Sequence, residues 1–186
     1  EELLLDAYDG TVPARLIETM FDFGRYLPKS MFDFGRYLLI SSSRPGGLPA
    51  NLQGIWNGEW NPPWQSDFHN DENIQMNYWQ ALPGNLPETL EPFFSYFESM
   101  VPDYRENARK IYGCRGILLP ICQTTDGMIY TDVWTNWTAG AGWIAQHFFD
   151  YWLYTGDKEF LRNRAIPFMR EVALFYEDFL FEGADG

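Results

Sequence analysis

Apolar positions recur at helical spacing in three stretches of the chain, and the first two carry boundary signals. Over Glu88 to Met100, Leu90, Phe93, Phe94 and Phe97 fall on one stripe, and Pro87 sits where a first helical turn has no use for an N–H. A second pattern runs from Thr138 to Tyr154 through Trp143, Ile144, Phe148, Tyr151 and Trp152. Gly156 then reads as a C-terminal cap, and Asp157 as the N-cap of a short helix. The third, Ile166 to Leu180, sets Met169, Val172, Ala173, Tyr176 and Leu180 at i, i+3, i+4 spacing. Asn73 to Leu82 has a composition that suits a further helix. The pattern predicts an all-α fold of core-facing helices, antiparallel in sequence order.

Near the N-terminus, Met20 to Leu27 reads MFDFGRYL and Met31 to Leu38 repeats it without a change. The offset is close to three helical turns, so both copies are expected to present Phe and Leu on similar faces. Pro28 lies between them and is expected to break or kink a continuous helix. Two copies are too few for a solenoid. They read as a recent tandem duplication or an artefact of sequence determination, and residues 1–30 carry no firm assignment. Two long segments lack periodicity: Ser41 to His69, rich in Gly, Pro, Asn and Trp, and Gly113 to Trp137, rich in Thr, Asp and Gly. Loops of that length are uncommon in a compact domain unless they do something, so the helices read as scaffold and the loops as function.

A chain of 186 residues suffices for one domain with a real core, and 46% hydrophobic with 21% charged residues excludes a disordered or collagen-like chain. Aromatic residues reach 18%, with eight Trp, more flat apolar surface than such a core needs; some of it is expected to line a cleft. Thirteen Lys and Arg against 26 Asp and Glu give a net charge of −13, a field that repels phosphate backbones and anionic lipid. Nucleic acid and membrane are therefore not expected as partners. No stretch approaches the roughly 20 apolar residues that span a bilayer, and the start of the chain lacks a secretory pattern, which leaves the compartment unknown. Cys114 and Cys122 are too few for a disulfide framework and lack metal-ligand spacing along the chain, so they are expected as free, partly buried thiols with no metal and no cofactor. The sequon Asn136-Trp137-Thr138 matters only in a eukaryotic secretory pathway.

The densest polar cluster is Asp67-Phe68-His69-Asn70-Asp71-Glu72-Asn73, followed by Ile74-Gln75-Met76-Asn77-Tyr78-Trp79. Interleaved carboxylates, amides and aromatics suit a sugar, whose hydroxyls need polar partners and whose ring faces stack on Trp or Tyr. If the helix begins at Asn73, Asp71 to Asn73 occupy the junction where side chains converge on a ligand. The plainer alternative is that Asp71 caps the helix and His69 bonds a neighbour. Trp56, Trp60 and Trp64 form either a stacking platform or loop packing, and Trp137 and Trp143 are similar cases. Arg44 is expected to tie its loop to a carboxylate, His147 to be a satisfied core residue, and Glu72 to point away from Asp71.

The run FDFGRYLLISSSRPGGLPANLQGIWN from Phe32, then NPPW, SDFH and NIQMNYW up to Trp79, resembles the catalytic domain of family 95 glycoside hydrolases, best known as inverting α-L-fucosidases. Gly142-Trp143, Gln146-His147 and Tyr154 to Leu161 extend the likeness to roughly residues 31–182. The resemblance implies an (α/α)6 barrel, of which this chain supplies part, with long loops lining the sugar pocket and a single partial catalytic domain over 1–186. It also favours an extracellular or periplasmic location. In that family a His-x-Asn-x-Asn segment lines the pocket, and its second Asn helps to activate water. His69 matches the His and Asn73 the second Asn, while Asp71 stands where the first Asn is usual. A carboxylate there can act as an ordinary general base or favour a different sugar.

Inversion also needs a protonated acid on the leaving-group side. The family's acid Glu lies in a Ser-Pro-Glu-type segment beyond the helix ending near Phe181, its supporting Asp lies further on, and neither occurs before Gly186. The chain is therefore expected to hold the water-activating side only, with Asp71 and Asn73 catalytic and His69, Trp56, Trp60, Trp64, Trp137 and Trp143 binding substrate. It is expected to bind sugar weakly at best and not to hydrolyse it alone, completed by the rest of the barrel or a second chain. Against this stand a non-catalytic or degenerate carbohydrate-binding module, and a helical scaffold whose tryptophans face outward for protein contacts.

Overall fold

The computed structural model describes residues 14–130 and 137–184. The chain divides into two units, one ending at Tyr37 and one beginning at Leu38. The first helix, α1, spans Ala14–Ser42 with Pro28 inside it, so the chain does not break at that proline. One internal proline removes one hydrogen bond and crowds the carbonyl four residues back, which costs about 3 kcal/mol. Helix-forming sequence of identical pattern lies on both sides of it and outweighs that cost. The two copies do share a face geometry: Arg25 lies over the Phe21 ring at 5.6 Å, and Arg36 repeats the contact over Phe32 at 5.8 Å.

In the second unit, α2 (Asn73–Trp79) is shorter than its composition suggests, because the chain turns at Gln80 before Pro83 and Gly84. A 3-10 turn at Pro87–Leu90 leads into α3 (Glu91–Ser99). Next comes α4 (Val101–Asn107), which the apolar pattern did not single out; it widens into a π-helical turn over Ala108–Tyr112 and stops at Gly113, whose φ of 70° suits a residue without Cβ. The remaining helices are α5 (Gly140–Thr155), α6 (Lys158–Phe160), a second π turn at Leu161–Ala165, and α7 (Ile166–Phe179). Gly156 caps α5 at φ 69°, and the Asp157 carboxylate accepts from the N–H groups of Glu159 and Phe160, as expected. Among the described residues the regular structure is helical, apart from a two-stranded ladder, β1 (Phe68–His69) with β2 (Cys122–Gln123), and an isolated bridge between Asn51 and Gly54. No helix among the described residues is long and apolar enough to cross a membrane.

The core forms where α3, α5 and α7 bring their stripes together. Phe148 of α5 stacks on Phe168 of α7 at 4.5 Å and 8°, and meets Phe94 of α3 at 4.5 Å. Phe93, Phe97, Ile144 and Leu90 are sealed beside them. At up to about 3 kcal/mol for each fully buried large apolar side chain, this cluster is the main stabilising mass. Many of the chain's aromatic rings are therefore absorbed here rather than in a cleft. Arg164 fastens the second π turn to α3, donating to Glu91 and Glu98 while lying over the Phe94 and Phe160 rings.

The stretch after Gly113 is strapped across α7. Arg115 pairs with Asp178, and Ile117 N–H donates to the Glu171 carbonyl at 3.3 Å. Between them Gly116, at φ 72°, passes so close that a Cβ would lie 2.1 Å from the Glu171 oxygen. This strap delivers β2 to β1. Arg44, by contrast, makes no ion pair among the described residues; its carbonyl accepts from Gly47 N–H instead. An exposed guanidinium gains little from a surface pair, so the expected tie has little to drive it.

Candidate active site

Strand pleating decides which side chains of the polar cluster meet. In β1 the Phe68 ring packs on Tyr96 at 4.7 Å, so the residues flanking it, Asp67 and His69, turn to the other face. The antiparallel register sets Phe68 opposite Gln123 and His69 opposite Cys122. Asn70 fixes the ladder's end from inside: its N–H donates to Ile121 O at 2.6 Å and its amide to Pro120 O and Gln123 Oε1, both at 2.9 Å. Gln75 then holds the Asn70 carbonyl at 2.6 Å. From α2, the Tyr78 hydroxyl accepts from Ala50 N–H at 2.7 Å and pairs with Ser43, while Asn77 donates to the Asn51 carbonyl. Burial raises that phenol to about 12. The loop before β1 is thus anchored by α2, and the loop holding β2 by Asn70.

Asp67, His69, Asp71 and Asn73, every second residue of the cluster, line one wall of a cavity of about 660 Å³. Trp64 and Gln65 form another side, and Ile121 and Cys122 arrive from the second loop. Trp64 meets the His69 ring edge-on at 5.8 Å. Its backbone, with those of Gln65 and Ser66, is left-handed, at φ 54°, 55° and 52°. Such a conformation costs roughly 1–2 kcal/mol at each non-glycine residue, and strain of this kind collects at functional sites.

Asp67 is the most enclosed carboxylate of the wall, only 8% exposed. Its Oδ1 lies 3.5 Å from His69 Nε2 and has no hydrogen-bond partner. Burial pushes its carboxyl above the ordinary 3.8, while His69 and the Cys122 thiol pull it back. The Cys122 thiol is raised too, by burial first and then by Asp67 and Asp71. Buried acceptor oxygens of Gln53 and Asp71, two more residues lining the cavity, also lack partners. This wall is short of donors. The side chain of Asp71 does not cap α2, whose N-terminus has no side-chain cap, so the plainer alternative for this residue does not hold. Glu72 is exposed and does not line the cavity.

Of the residues singled out beforehand, His69, Asp71, Asn73 and Trp64 come together here, and the other four tryptophans do not. Trp56 lines a neighbouring cavity of about 450 Å³ with Asn51 and Asn77, and Trp60 stands fully in solvent. Trp137 is half-buried beside Gly140, and the Trp143 carbonyl faces His147 Nδ1 at 3.4 Å. His147 itself is a buried core residue, its Nε2 3.2 Å from the Gln75 carbonyl. The sequon's Asn136 lies outside the described residues. Sequence reasoning missed Asp67 and Cys122 as members of the site. Period-two spacing from Asp67 to Asn73 was a usable signal for the first; nothing local pointed to the second. Both cysteines are free thiols, as expected.

A model of the glycosyl hydrolase family 95 catalytic domain matches residues 1–186. Alpha-L-fucosidase 2 of Arabidopsis thaliana is 42% identical over 177 residues, which cover 92% of this chain and 20% of that protein. Probable alpha-fucosidase A of Aspergillus niger is 36% identical over 178 residues, 93% of this chain and 21% of that protein. The chain spans about a fifth of the length of these relatives. Match and coverage together carry one conclusion: over residues 1–186 the chain belongs to the catalytic domain of glycosyl hydrolase family 95.

Proposed function

We propose that this chain forms the water-activating wall of an inverting α-L-fucosidase-type active site, built within an (α/α)6 barrel and acting on terminal L-fucose or a related sugar of a glycan. The observation that carries the reading is the convergence of Asp67, His69, Asp71 and Asn73 on one cavity of about 660 Å³. That volume lies within the roughly 300–1,000 Å³ of small-molecule sites. A wall with unpartnered acceptors suits hydroxyl donors, and Trp64 offers an apolar face beside His69. In this reading Asn73 orients the attacking water and Asp71, a carboxylate where the family's pattern has an amide, takes its proton as general base. Asp67 and His69 hold sugar hydroxyls. Trp56, Trp60, Trp137 and Trp143 are left as contacts for more distant parts of a glycan. The protonated acid of an inverting pair stands across the sugar, separated from the base by room for the water.

Steady-state hydrolysis of an aryl α-L-fucoside by the full-length protein tests this. Asp71→Ala is expected to lower kcat by about 10²- to 10⁴-fold, the usual weight of a positioned base, with the fold intact by circular dichroism. The sugar first released should carry the inverted anomeric configuration by NMR. An unchanged kcat in Asp71→Ala, or retained configuration, overturns the reading. Asp71 in the place of the amide also motivates a binding-only module. Saturable fucose binding without turnover by the unaltered protein would establish that module and remove the enzyme.

A further inference from the structure

We propose that Asp67, His69 and Cys122 form a binding site for a zinc-class divalent cation at the floor of the cavity. Asp67 and His69 are two residues apart at β1, and so share a face; Cys122 is the β2 residue directly opposite His69. A carboxylate oxygen, an imidazole nitrogen and the thiol sulfur of these residues all lie within 4.8 Å of one another, with Asp67 Oδ1 and His69 Nε2 at 3.5 Å. A tetrahedral Zn²⁺ about 2.0–2.3 Å from such atoms sets them roughly 3.3–3.6 Å apart, so small side-chain rotations complete the geometry.

A second observation points the same way. The Asp67 side chain is nine-tenths buried, and its Oδ1 has no hydrogen-bond partner; its neighbours are the two other ligands themselves, the His69 ring at 3.5 Å and the Cys122 thiol. The buried Asp71 Oδ1 is likewise unpartnered and adds negative charge to the same wall. An enclosed carboxylate beside a second unpartnered carboxylate oxygen is costly unless a cation joins them. One thiolate, one imidazole and one carboxylate are a borderline-soft set, which selects Zn²⁺, Co²⁺ or Cd²⁺ over Mg²⁺ or Ca²⁺. Binding displaces one proton from the Cys122 thiol to solvent. The fourth coordination position opens to the cavity, as in three-ligand zinc sites that keep an exchangeable place. Asp67 and His69 are also the side chains assigned to sugar hydroxyls, so a bound cation competes with that direct contact, and the metal is tested with no sugar present.

Cobalt substitution tests it with the metal alone. The full-length protein, titrated with Co²⁺, is expected to develop the visible bands of a four-coordinate site together with a thiolate-to-cobalt charge-transfer band, reversed by excess Zn²⁺. Cys122→Ser should abolish the charge-transfer band. Asp67→Asn should weaken Zn²⁺ binding in calorimetry by at least the roughly 10- to 100-fold that loss of an outer partner costs. Cys114→Ser is the control for the other thiol, which packs in a separate cluster with Leu118 and Phe175, and it should leave the spectrum unchanged. No thiolate band in the unaltered protein, a band that survives Cys122→Ser, or one that vanishes in Cys114→Ser each overturns the proposal.

Discussion

Three successive non-glycine residues, Trp64, Gln65 and Ser66, adopt left-handed backbone at the mouth of the cavity, where a ring must stand edge-on to His69. The conformation follows from position rather than propensity, because Pro62 and Pro63 stiffen the approach and Asn57 holds the Ser66 hydroxyl at 2.8 Å. Gln65→Gly should therefore raise stability, against the usual effect of glycine. Relief of about 1–2 kcal/mol of left-handed strain exceeds the roughly 0.5–1 kcal/mol of added unfolded-state entropy. Urea unfolding measures it, and a lower midpoint would mean that the glutamine side chain holds the turn. At this scale the sequence was legible in part. Asp67, His69, Asp71 and Asn73 alternate in print as they do in space, since a short extended segment turns every second side chain to one side. The left-handed triplet was not legible, because no glycine or asparagine marks it.

Among the elements, the strap over α7 decides where β2 lies. Gly116 is its tightest point: beyond the oxygen of Glu171, a Cβ would also sit 2.5 Å from Phe175 N, both of them helix backbone that cannot swing aside. Gly116→Ala should cost more than the roughly 1–2 kcal/mol that left-handed backbone alone costs an L residue. It should also displace Cys122 from His69. Chemical denaturation reads the first, and loss of the cobalt thiolate band reads the second. A neutral effect would show that the strap is free to lift. Helix boundaries at Gly156 and Asp157 were legible because caps are local chemistry, an orphan N–H finding a carboxylate two or three residues away. At Pro28 the local rule that proline breaks a helix fails, because one lost hydrogen bond is outweighed by the helix that continues on both sides of it.

For the molecule as a whole, the buried imidazole of His147 joins α5 to α2, with the carbonyls of Trp143 and Gln75 at its two nitrogens. Burial lowers its pKa below the ordinary 6.5, outweighing the opposite pull of those carbonyls and of Asp150. The unfolded chain therefore takes up a proton as pH falls through 6.5, while the native state refuses it until lower pH. The stability this group contributes is whole above that value and declines below it. Denaturation midpoints from about pH 8 to about pH 5 should fall in the unaltered protein and flatten in His147→Gln. Identical slopes in the two would place the titration elsewhere.

What the sequence determined by itself is whatever acts within a few residues: helical stripes, caps, and the four polar side chains that one short segment turns to one side. Only the tertiary structure decided that Cys122 faces His69 from more than fifty residues away, that Asp67 is enclosed, and that Trp64 meets His69 at the cavity while Trp60 stands clear of it. The physical reason is reach. Periodicity and capping are satisfied by neighbouring atoms, whereas strand register, burial and the resulting charge state depend on how a strap crosses a distant helix.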